Sequence, residues 1–201
     1  WVSALGGVRD SVVAVSCVRD AAYALGLTEA FDSLSPDQLH FAVSSAAFAG
    51  VRNAYEEPYR LGVDRWLALL AIKARGEESA VIIDVGTACT IDIMDDGQHL
   101  GGYIFPGMAL ARDALVSNTD KIRFSKHPDP SISPGTDTAG CVLSGVWLTL
   151  LATCQHVIDR FPDSKVYLTG GSAKELGARG VGGERVDGLV FDGLDFWLNG
   201  A

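Results

Sequence analysis

The chain has 201 residues, of which 48% are apolar and 20% are charged. A chain of this length and composition can bury a large core, which excludes intrinsic disorder and makes disulfide scaffolding unnecessary. Its 16 basic and 25 acidic residues give a net charge of −9, and the basic residues form no cluster, so we expect no nucleic-acid partner.

In chain order, the first predicted elements are a strand, a helix and a second strand. Residues 12–18 form a β-branched apolar run, a mixed Ala and Leu stretch continues to residue 31, and residues 39–44 are apolar again. Residues 65–75 are strongly helical, and Asp64 stands at the position of an N-cap. The first part of the chain is therefore predicted to be α/β.

After residue 75 the spacing of apolar residues changes from that of a helix to that of a strand. Residues 80–85, 89–94 and 99–105 predict three consecutive antiparallel strands, with Asp96-Gly97 as a two-residue hairpin turn. Pro106-Gly107 ends this meander. The later predicted elements are a helix at 108–116, a proline-containing loop at 118–135, a long helix at 138–158, a strand at 165–168, a helix capped by Ser172 and a last helix at 189–198.

The long predicted helix at residues 138–158 has no formally charged residue. Its length also fits a membrane span, but interspersed Gly, Ser, Thr and Gln residues dilute its hydrophobicity, so we interpret it as a buried helix and expect no membrane partner. Such a helix must be covered on every face, and a second subunit can cover the last one. We therefore predict a homodimer.

The four cysteines show neither a metal-binding nor a disulfide pattern. They include no C-x-x-C pair, and no His lies at zinc-ligand spacing. We therefore expect reduced, buried thiols in a cytoplasmic protein. The chain begins with Trp1 and shows no secretory leader, so we expect the translated protein to start upstream. The cysteines are Cys17, Cys89, Cys141 and Cys154.

The first candidate site is the segment at residues 55–66. There a loop narrows to Gly62 and then presents Asp64 and Arg65 at a helix start. In apolar surroundings Asp64 is a candidate general base, and Arg65 is a candidate anion-binding residue. The structural alternative is that Asp64 only caps the helix.

The second candidate site is the turn that follows the predicted strand at residues 80–85. Asp84 ends that strand, and Gly86 and Thr87 follow it. Backbone amides and the Thr87 hydroxyl facing one concavity would suit phosphate oxygens, and a lone Asp84 carboxylate suits a weakly bound hard cation. An ordinary Asp-x-Gly turn is the alternative.

The third candidate site is the strand-to-helix turn at residues 168–172. Gly170 and Gly171 would let a flat adenine ring approach the backbone closely, although a tight turn without a ligand explains them too. The histidines show no mutual spacing that suggests metal ligands or a proton relay.

Three segments, taken together and in order, closely resemble the type III pantothenate kinases. They are VRNAYEEPYRLGVDRW, IIDVGTACTIDIMDDGQHLGGYIFPGM and YLTGGS, and the likeness extends from about Gly50 through Gly171. The resemblance implies an α/β fold of the actin-like ATPase and sugar-kinase type, in which two related halves close around ATP. We assign residues 1–78 to a first half, truncated at its N-terminus, and residues 79–201 to the second.

The resemblance also implies roles for individual residues. Asp64 would be the catalytic base, and Asp84 would hold a monovalent cation, potassium or ammonium. Thr87 would contact the ATP phosphates, with Gly170 and Gly171 beside the adenosine. The family is homodimeric, with pantothenate near the subunit interface. The implied pantothenate-binding residues are Tyr55, Gly62, Val63, Arg65 and Thr138.

One part of the family pattern is missing from this sequence. The family opens with an Asp-x-Gly-Asn loop that binds the nucleotide phosphates and the catalytic magnesium, and nothing before Val12 matches it. Phosphoryl transfer depends on positioning and charge neutralisation, so a protein without that loop should turn over slowly. We expect an incomplete sequence rather than a degenerate enzyme.

The expected activity is ATP-dependent phosphorylation of pantothenate to 4'-phosphopantothenate, the first step of coenzyme A synthesis. One alternative is a non-catalytic dimeric accessory or regulatory protein of the same fold. Another is a kinase of the same superfamily that acts on a different small alcohol or acid. An Asp-x-Gly-Asn loop upstream of Trp1 would favour the pantothenate kinase.

Overall fold

The computed structural model describes residues 12–17, 38–119, 122 and 132–200. The predicted helix before residue 31 and most of the predicted loop at 118–135 lie outside these residues. The strands are β1 (Val13–Val15), β2 (Leu39–Phe41), β3 (Ala47–Phe48), β4 (Val51–Arg52), β5 (Ala80–Val85), β6 (Ala88–Asp95), β7 (Gln98–Pro106), β8 (Lys165–Thr169) and β9 (Glu184–Arg185). The helices are α1 (Val63–Ala74), α2 (Met108–Ser117), α3 (Thr138–Arg160), α4 (Ala173–Ala178) and α5 (Leu189–Asn199), with a short 3-10 helix at Pro58–Arg60.

The chain divides into two compact units. Unit 1 comprises Trp1–Glu78, Met94–Gly101 and Gly188–Ala201, and unit 2 comprises Ser79–Ile93 and Gly102–Asp187. Unit 1 thus includes two segments, residues 94–101 and 188–201, that lie beyond residue 78 in the chain.

Unit 1 combines short strands with a buried helix. β1 pairs in parallel with β2, and β4 pairs antiparallel with β3 and in parallel with the start of β7. Every residue of α1 from Arg65 to Ile72 is buried. α1 packs on α5 at Gly193, where any Cβ would collide with the Leu67 carbonyl oxygen. The close approach of these helices therefore requires glycine.

Unit 2 is built on a mixed sheet with the order β7-β6-β5-β8-β9. β5 pairs in parallel with β8, and β8 in parallel with β9. β5 begins with the apolar run Ala80–Ile83, which is buried on both faces of the sheet, and Asp84 near its end is only partly buried. The buried core of this unit lies between the sheet and α3 and α4; it contains Val81, Ile83, Val85, Cys89, Ile91, Ile93, Trp147, Leu150, Cys154, Val157, Leu168, Ala173, Leu176 and Val181.

Most predicted elements are confirmed, some with shifted ends. The β6–β7 connection is the predicted Asp96-Gly97 turn, and both residues have positive φ (48° and 68°), as a type I′ turn requires. The predicted strands at 12–18 and 39–44 are each reduced to three residues. The two-residue strands β3, β4 and β9 were not predicted, because so short a run shows no periodicity.

The predicted start of the first described helix is wrong by two residues. α1 begins at Val63, its N-cap is Gly62, and Asp64 lies within its first turn. Asp64 is therefore not an N-cap. Ser172 does occupy the N-cap position of α4, but its side chain makes no capping hydrogen bond.

The helix α3 is buried on one side only. Its buried residues include Val142, Trp147 and Leu150, whereas Leu148 is 55% exposed. By length and composition this helix is apolar enough to cross a membrane, with a mean hydropathy of 1.6 in a window that is 33% buried. Core helices of soluble proteins pass the same test, so this property is weak evidence for a span.

Candidate active site

Asn53 fixes the loop between β4 and α1 by three side-chain hydrogen bonds. Its Oδ1 accepts from the Tyr55 backbone N–H at 3.0 Å. Its Nδ2 donates to the carbonyl oxygens of Ser45 at 3.2 Å and Pro58 at 3.1 Å. Because the amide joins three points of the chain, it sets the path of the loop that contains Tyr55.

Tyr55 links this loop to α1 through Arg65. The Arg65 side chain is buried, with 6% of the residue exposed, and its Nη1 donates to Tyr55 Oη at 3.0 Å. The Tyr55 ring stacks on the ring of His99 from β7, with 6.4 Å between ring centres and an angle of 12° between planes. The structure thus brings two of the predicted substrate-binding residues together. Sequence reasoning missed His99 and Asn53, since neither lies in a recognisable ligand pattern.

The Asp64 carboxylate lies directly beside the N-terminus of α1. Its Oδ1 accepts from the Arg65 backbone N–H at 2.8 Å, and no hydrogen bond to Oδ2 occurs within the part of the chain that the structure describes. A Cβ at Gly62 would lie 2.7 Å from Oδ1, so glycine leaves room for this carboxylate. One oxygen of this half-buried carboxylate is therefore held in place by the first turn of α1.

A cavity of about 320 Å³ adjoins Gly62 and Val63 in unit 1. This volume suits a small organic ligand. Ser44 supports its wall, because the buried Ser44 hydroxyl donates to the Leu61 carbonyl oxygen at 2.8 Å. The cavity is lined by Cys17, Ala42, Val43, Ser44, Tyr59, Arg60, Leu61, Gly62 and Val63.

Glu57 joins two residues that line this cavity. Tyr59 Oη donates to Glu57 Oε1 at 2.6 Å, and Arg60 Nη1 donates to Oε2 at 2.8 Å. The hydrogen bond from Arg60, followed by that from Tyr59, lowers the pKa of Glu57. The cluster is solvent-exposed, so water screens the pair between Glu57 and Arg60.

In unit 2, the carboxyl ends of β5 and β8 bring Asp84 to Gly170. Asp84 pairs with Thr169 in the parallel register, and Gly170 follows with a φ of +89°. A Cβ on Gly170 would lie 2.7 Å from both Val85 N and Val85 O, and it would also collide with Asp84 Oδ1. The predicted cation-binding and adenosine-side residues are therefore in direct proximity.

The turn that contains Thr87 packs against Gly107. The Gly107 N–H donates to the Thr87 carbonyl oxygen at 2.9 Å, and the Gly86 N–H donates to the Ala88 carbonyl oxygen at 2.9 Å. A Cβ on Gly107 would lie 2.8 Å from that Thr87 oxygen. The two glycine-containing motifs at 84–88 and 101–107 thus pack against each other, and the Thr87 side chain lies on the surface.

Two further predicted residues lie at exposed positions of unit 2. Thr138 is the first residue of α3, next to Asp137, whose Oδ1 caps the helix by accepting from the Gly140 N–H at 2.7 Å. Gly171 is exposed, and a Cβ there would have no atom within 4 Å. Within residues 12–17, 38–119, 122 and 132–200 no group of three or more His, Cys, Asp or Glu could hold a metal ion.

A sequence model of a known family covers most of this chain. The family described as type III pantothenate kinase matches residues 3–160. This chain belongs to the type III pantothenate kinase family. The predicted resemblance to this family is thereby confirmed.

Individual members of the family are also similar in sequence to this chain. A type III pantothenate kinase of Acinetobacter baumannii (strain ACICU) is 43% identical over 134 residues, covering 67% of this chain and 54% of that protein. One from Pseudomonas aeruginosa (strain LESB58) is 38% identical over 178 residues, covering 84% of this chain and 72% of that protein. The chain spans little more than half the length of the first relative.

Solved structures share the fold at low sequence identity. A Campylobacter jejuni protein described as a Baf family transcriptional activator has a TM-score of 0.63 and 20% identity, covering 96% of this chain and 84% of that one. A Listeria monocytogenes protein described as an N-acetylmannosamine kinase has a TM-score of 0.52 and 11% identity, covering 91% and 88%. The predicted α/β fold is confirmed.

Proposed function

We propose that the protein phosphorylates pantothenate to 4'-phosphopantothenate with ATP, the first step of coenzyme A synthesis. The principal supporting observation is the arrangement in unit 1. There Asp64, with one carboxylate oxygen held by α1, directly follows Gly62 and Val63, which line a cavity of ligand size; Asp64 itself is not one of the lining residues. Membership of the type III pantothenate kinase family agrees with this activity.

In this proposal the residues of unit 1 bind and activate pantothenate. Asp64 Oδ2 accepts the proton of pantothenate's primary hydroxyl. The hydroxyl oxygen forms a bond to the γ-phosphorus of ATP, the bond between that phosphorus and the β,γ-bridging oxygen breaks, and ADP leaves. Arg65 and Tyr55 orient the substrate, together with Gly62 and Val63. The buried Arg65 side chain is fixed by Tyr55, which favours a defined geometry over a mobile anion clamp.

The residues of unit 2 hold the nucleotide in the same proposal. Thr87 contacts the ATP phosphates, and Gly170 and Gly171 lie beside the adenosine. A lone carboxylate, Asp84, packed against a carbonyl-containing turn fits a monovalent cation, potassium or ammonium, better than a caged divalent one. That cation would supply charge neutralisation near the phosphates. Magnesium would enter with ATP, and no described residue is assigned to it.

The proposal is tested by pantothenate-dependent ADP release and by the Asp64→Asn variant. Loss of the base should lower kcat by about 10²- to 10⁴-fold, while pantothenate affinity measured by calorimetry stays within about threefold. Asp163→Asn, an exposed aspartate before β8, is the matched control and should keep full activity. A fully active Asp64→Asn would overturn the base assignment.

The outcome of the same assays separates the alternatives. ATP or pantothenate binding without ADP release would favour an accessory protein of this fold. Faster phosphorylation of another small alcohol or acid would favour a different kinase specificity.

We also propose a homodimer in which a second copy covers the exposed side of α3. An apolar cavity of about 530 Å³ lies between α2 and α3, and Leu148 on α3 and Leu110 on α2 are 55% and 45% exposed. Pantothenate would bind near this interface with Thr138 contributed by one of the subunits. The four free thiols agree with a cytoplasmic location.

The dimer is tested by light scattering coupled to gel filtration. Leu148→Glu should convert the dimer to a monomer, because it places an unpaired charge in the contact. Phe191→Glu is the control, since Phe191 is 72% exposed on α5 in unit 1. A Leu148→Glu variant that remains dimeric would show that α3 is not the interface.

A further inference from the structure

Tyr55 is held by two residues that lie outside the Gly-x-Asp-Arg segment. Asn53 Oδ1 accepts a hydrogen bond from the Tyr55 backbone N–H, and His99, which is fully buried, stacks against the Tyr55 ring. Tyr55 in turn accepts a hydrogen bond from Arg65. These contacts form a continuous path from β7 to α1.

The strand register explains why Asn53 and His99 both lie beside Tyr55. Arg52 of β4 pairs with Gln98 of β7, and the Arg52 N–H donates to the Gly97 carbonyl oxygen at 2.9 Å. Asn53 directly follows β4, and His99 is the next residue of β7. A short parallel pairing therefore places both beside Tyr55, although they are far apart in the sequence.

The consequence concerns the orientation of Arg65. A tyrosine on a surface loop can change its rotamer freely, but a ring stacked on a buried imidazole cannot swing away without losing that contact. The stacked ring keeps Oη 3.0 Å from Arg65 Nη1. The position of the Arg65 guanidinium therefore depends on His99, which contacts Tyr55.

We propose that His99 and Asn53 are positioning residues for pantothenate binding, acting through Tyr55 on Arg65. This inference rests on the proposed function, in which Tyr55 and Arg65 contact pantothenate. His99 fixes the ring of Tyr55, and Asn53 fixes its backbone. The two act on the same residue from different directions.

The kinetic test compares His99→Ala with His99→Phe. His99→Ala removes the stacked ring, so KM for pantothenate should rise about tenfold, as for loss of one charged hydrogen bond, with kcat within about twofold. His99→Phe keeps a flat ring and should restore KM. Asn53→Asp, which keeps the acceptor for Tyr55 N–H but loses both Nδ2 bonds, should show an intermediate rise.

Asp163→Asn, at an exposed position outside α3 and the candidate sites, is the control and should leave KM unchanged. The inference would be overturned if His99→Ala left KM unchanged, whether or not kcat fell. A His99→Phe variant as impaired as His99→Ala would overturn it too.

A second measurement decides the inference independently of catalysis. Thermal unfolding is followed for Tyr55→Phe alone and in the His99→Ala background. Tyr55→Phe should lower Tm by about 3 °C in the parent but by less than half as much without His99, because the hydrogen bond to Arg65 is then already lost. Additive shifts would overturn the positioning role. If the unsubstituted protein shows no pantothenate kinase activity, the proposed function fails. The thermal unfolding measurements still show whether His99 positions Tyr55.

Discussion

The candidate sites of unit 1 and unit 2 differ in which part of the protein fixes their geometry. In unit 1 side chains make the geometry, through the hydrogen bonds of Asn53 and the contact of Tyr55 with Arg65. In unit 2 the backbone makes it, because Gly107 packs on the Thr87 turn and Gly170 packs on Asp84 and Val85. Side-chain substitutions should therefore tune the first site, whereas an added methyl group should break the second.

This difference suits the ligands we propose for each site. A small organic acid with several polar groups is recognised by aimed side chains, whereas phosphate oxygens are bound by backbone amides whose positions must not change. A rigid backbone tolerates few residues, which explains why the second site contains so many glycines.

The largest expected effect comes from Gly170→Ala in unit 2. Its φ of +89° disfavours any side chain, and the new Cβ would lie 2.7 Å from Val85 N and O. We expect a loss of about 3 kcal/mol in the free energy of unfolding. ATP affinity should fall at least about tenfold as Asp84 is displaced. Thermal unfolding and ATP titration measure the two effects.

Gly171→Ala is the adjacent control for this experiment. Its Cβ would meet no atom within 4 Å, so the stability of the protein should not change. If adenosine lies against Gly171, ATP affinity alone should fall. A Gly170→Ala variant with parental stability would contradict the view that the backbone is constrained there.

A smaller effect is expected behind the Thr87 turn, where two thiols meet in the core of unit 2. Cys89 and Cys154 are fully buried. The pKa of the Cys89 thiol is raised, first by its hydrogen bond with Cys154 and then by burial. Cys154 accepts that bond, which lowers its own pKa, so the pair keeps its last proton on Cys89.

The sign of the pH effect follows from this shift. Unfolded Cys89 loses its proton above about pH 9, whereas folded Cys89 retains it. Its stabilising contribution is therefore full below that pH and is lost above it, by about 1.4 kcal/mol per pH unit. Urea unfolding between about pH 8 and about pH 10 should show a shallower fall in Cys89→Val. The exposed Cys141→Ser should keep the parental slope, and equal slopes in all three proteins would refute the assignment.

Features encoded by neighbouring residues could be predicted from the sequence. β5 was predicted with its observed ends because its largely apolar residues lie between Ser79 and Gly86, and Asp96-Gly97 can form only a few kinds of turn. Tyr55 and Arg65 were placed in one candidate site because they lie in the same short segment. Each of these predictions needed only local chemistry.

Features that depend on tertiary contacts were not predicted. His99 reaches Tyr55 only through the single pairing of Arg52 with Gln98, which no periodicity reveals. The start of α1 was misplaced because Asp64 bonds the next amide in the chain instead of one further along the first turn, where an N-cap would act. The one-sided burial of α3 likewise depends on which elements pack against it.

The smallest expected effect concerns Glu57, which forms hydrogen bonds with exposed side chains of unit 1. The hydrogen bonds from Arg60 and Tyr59 lower the pKa of Glu57. Their contribution to stability is therefore present above the usual carboxyl range and is lost as the pH falls through the lowered value. Because the cluster is exposed, we expect Glu57→Gln to shift Tm by less than about 1 °C and KM for pantothenate by less than about threefold. Calorimetry and steady-state kinetics measure these two quantities. A larger rise of KM would show that Tyr59 and Arg60 must be held at the cavity to bind substrate, which would extend the side-chain-built site of unit 1 to its exposed rim.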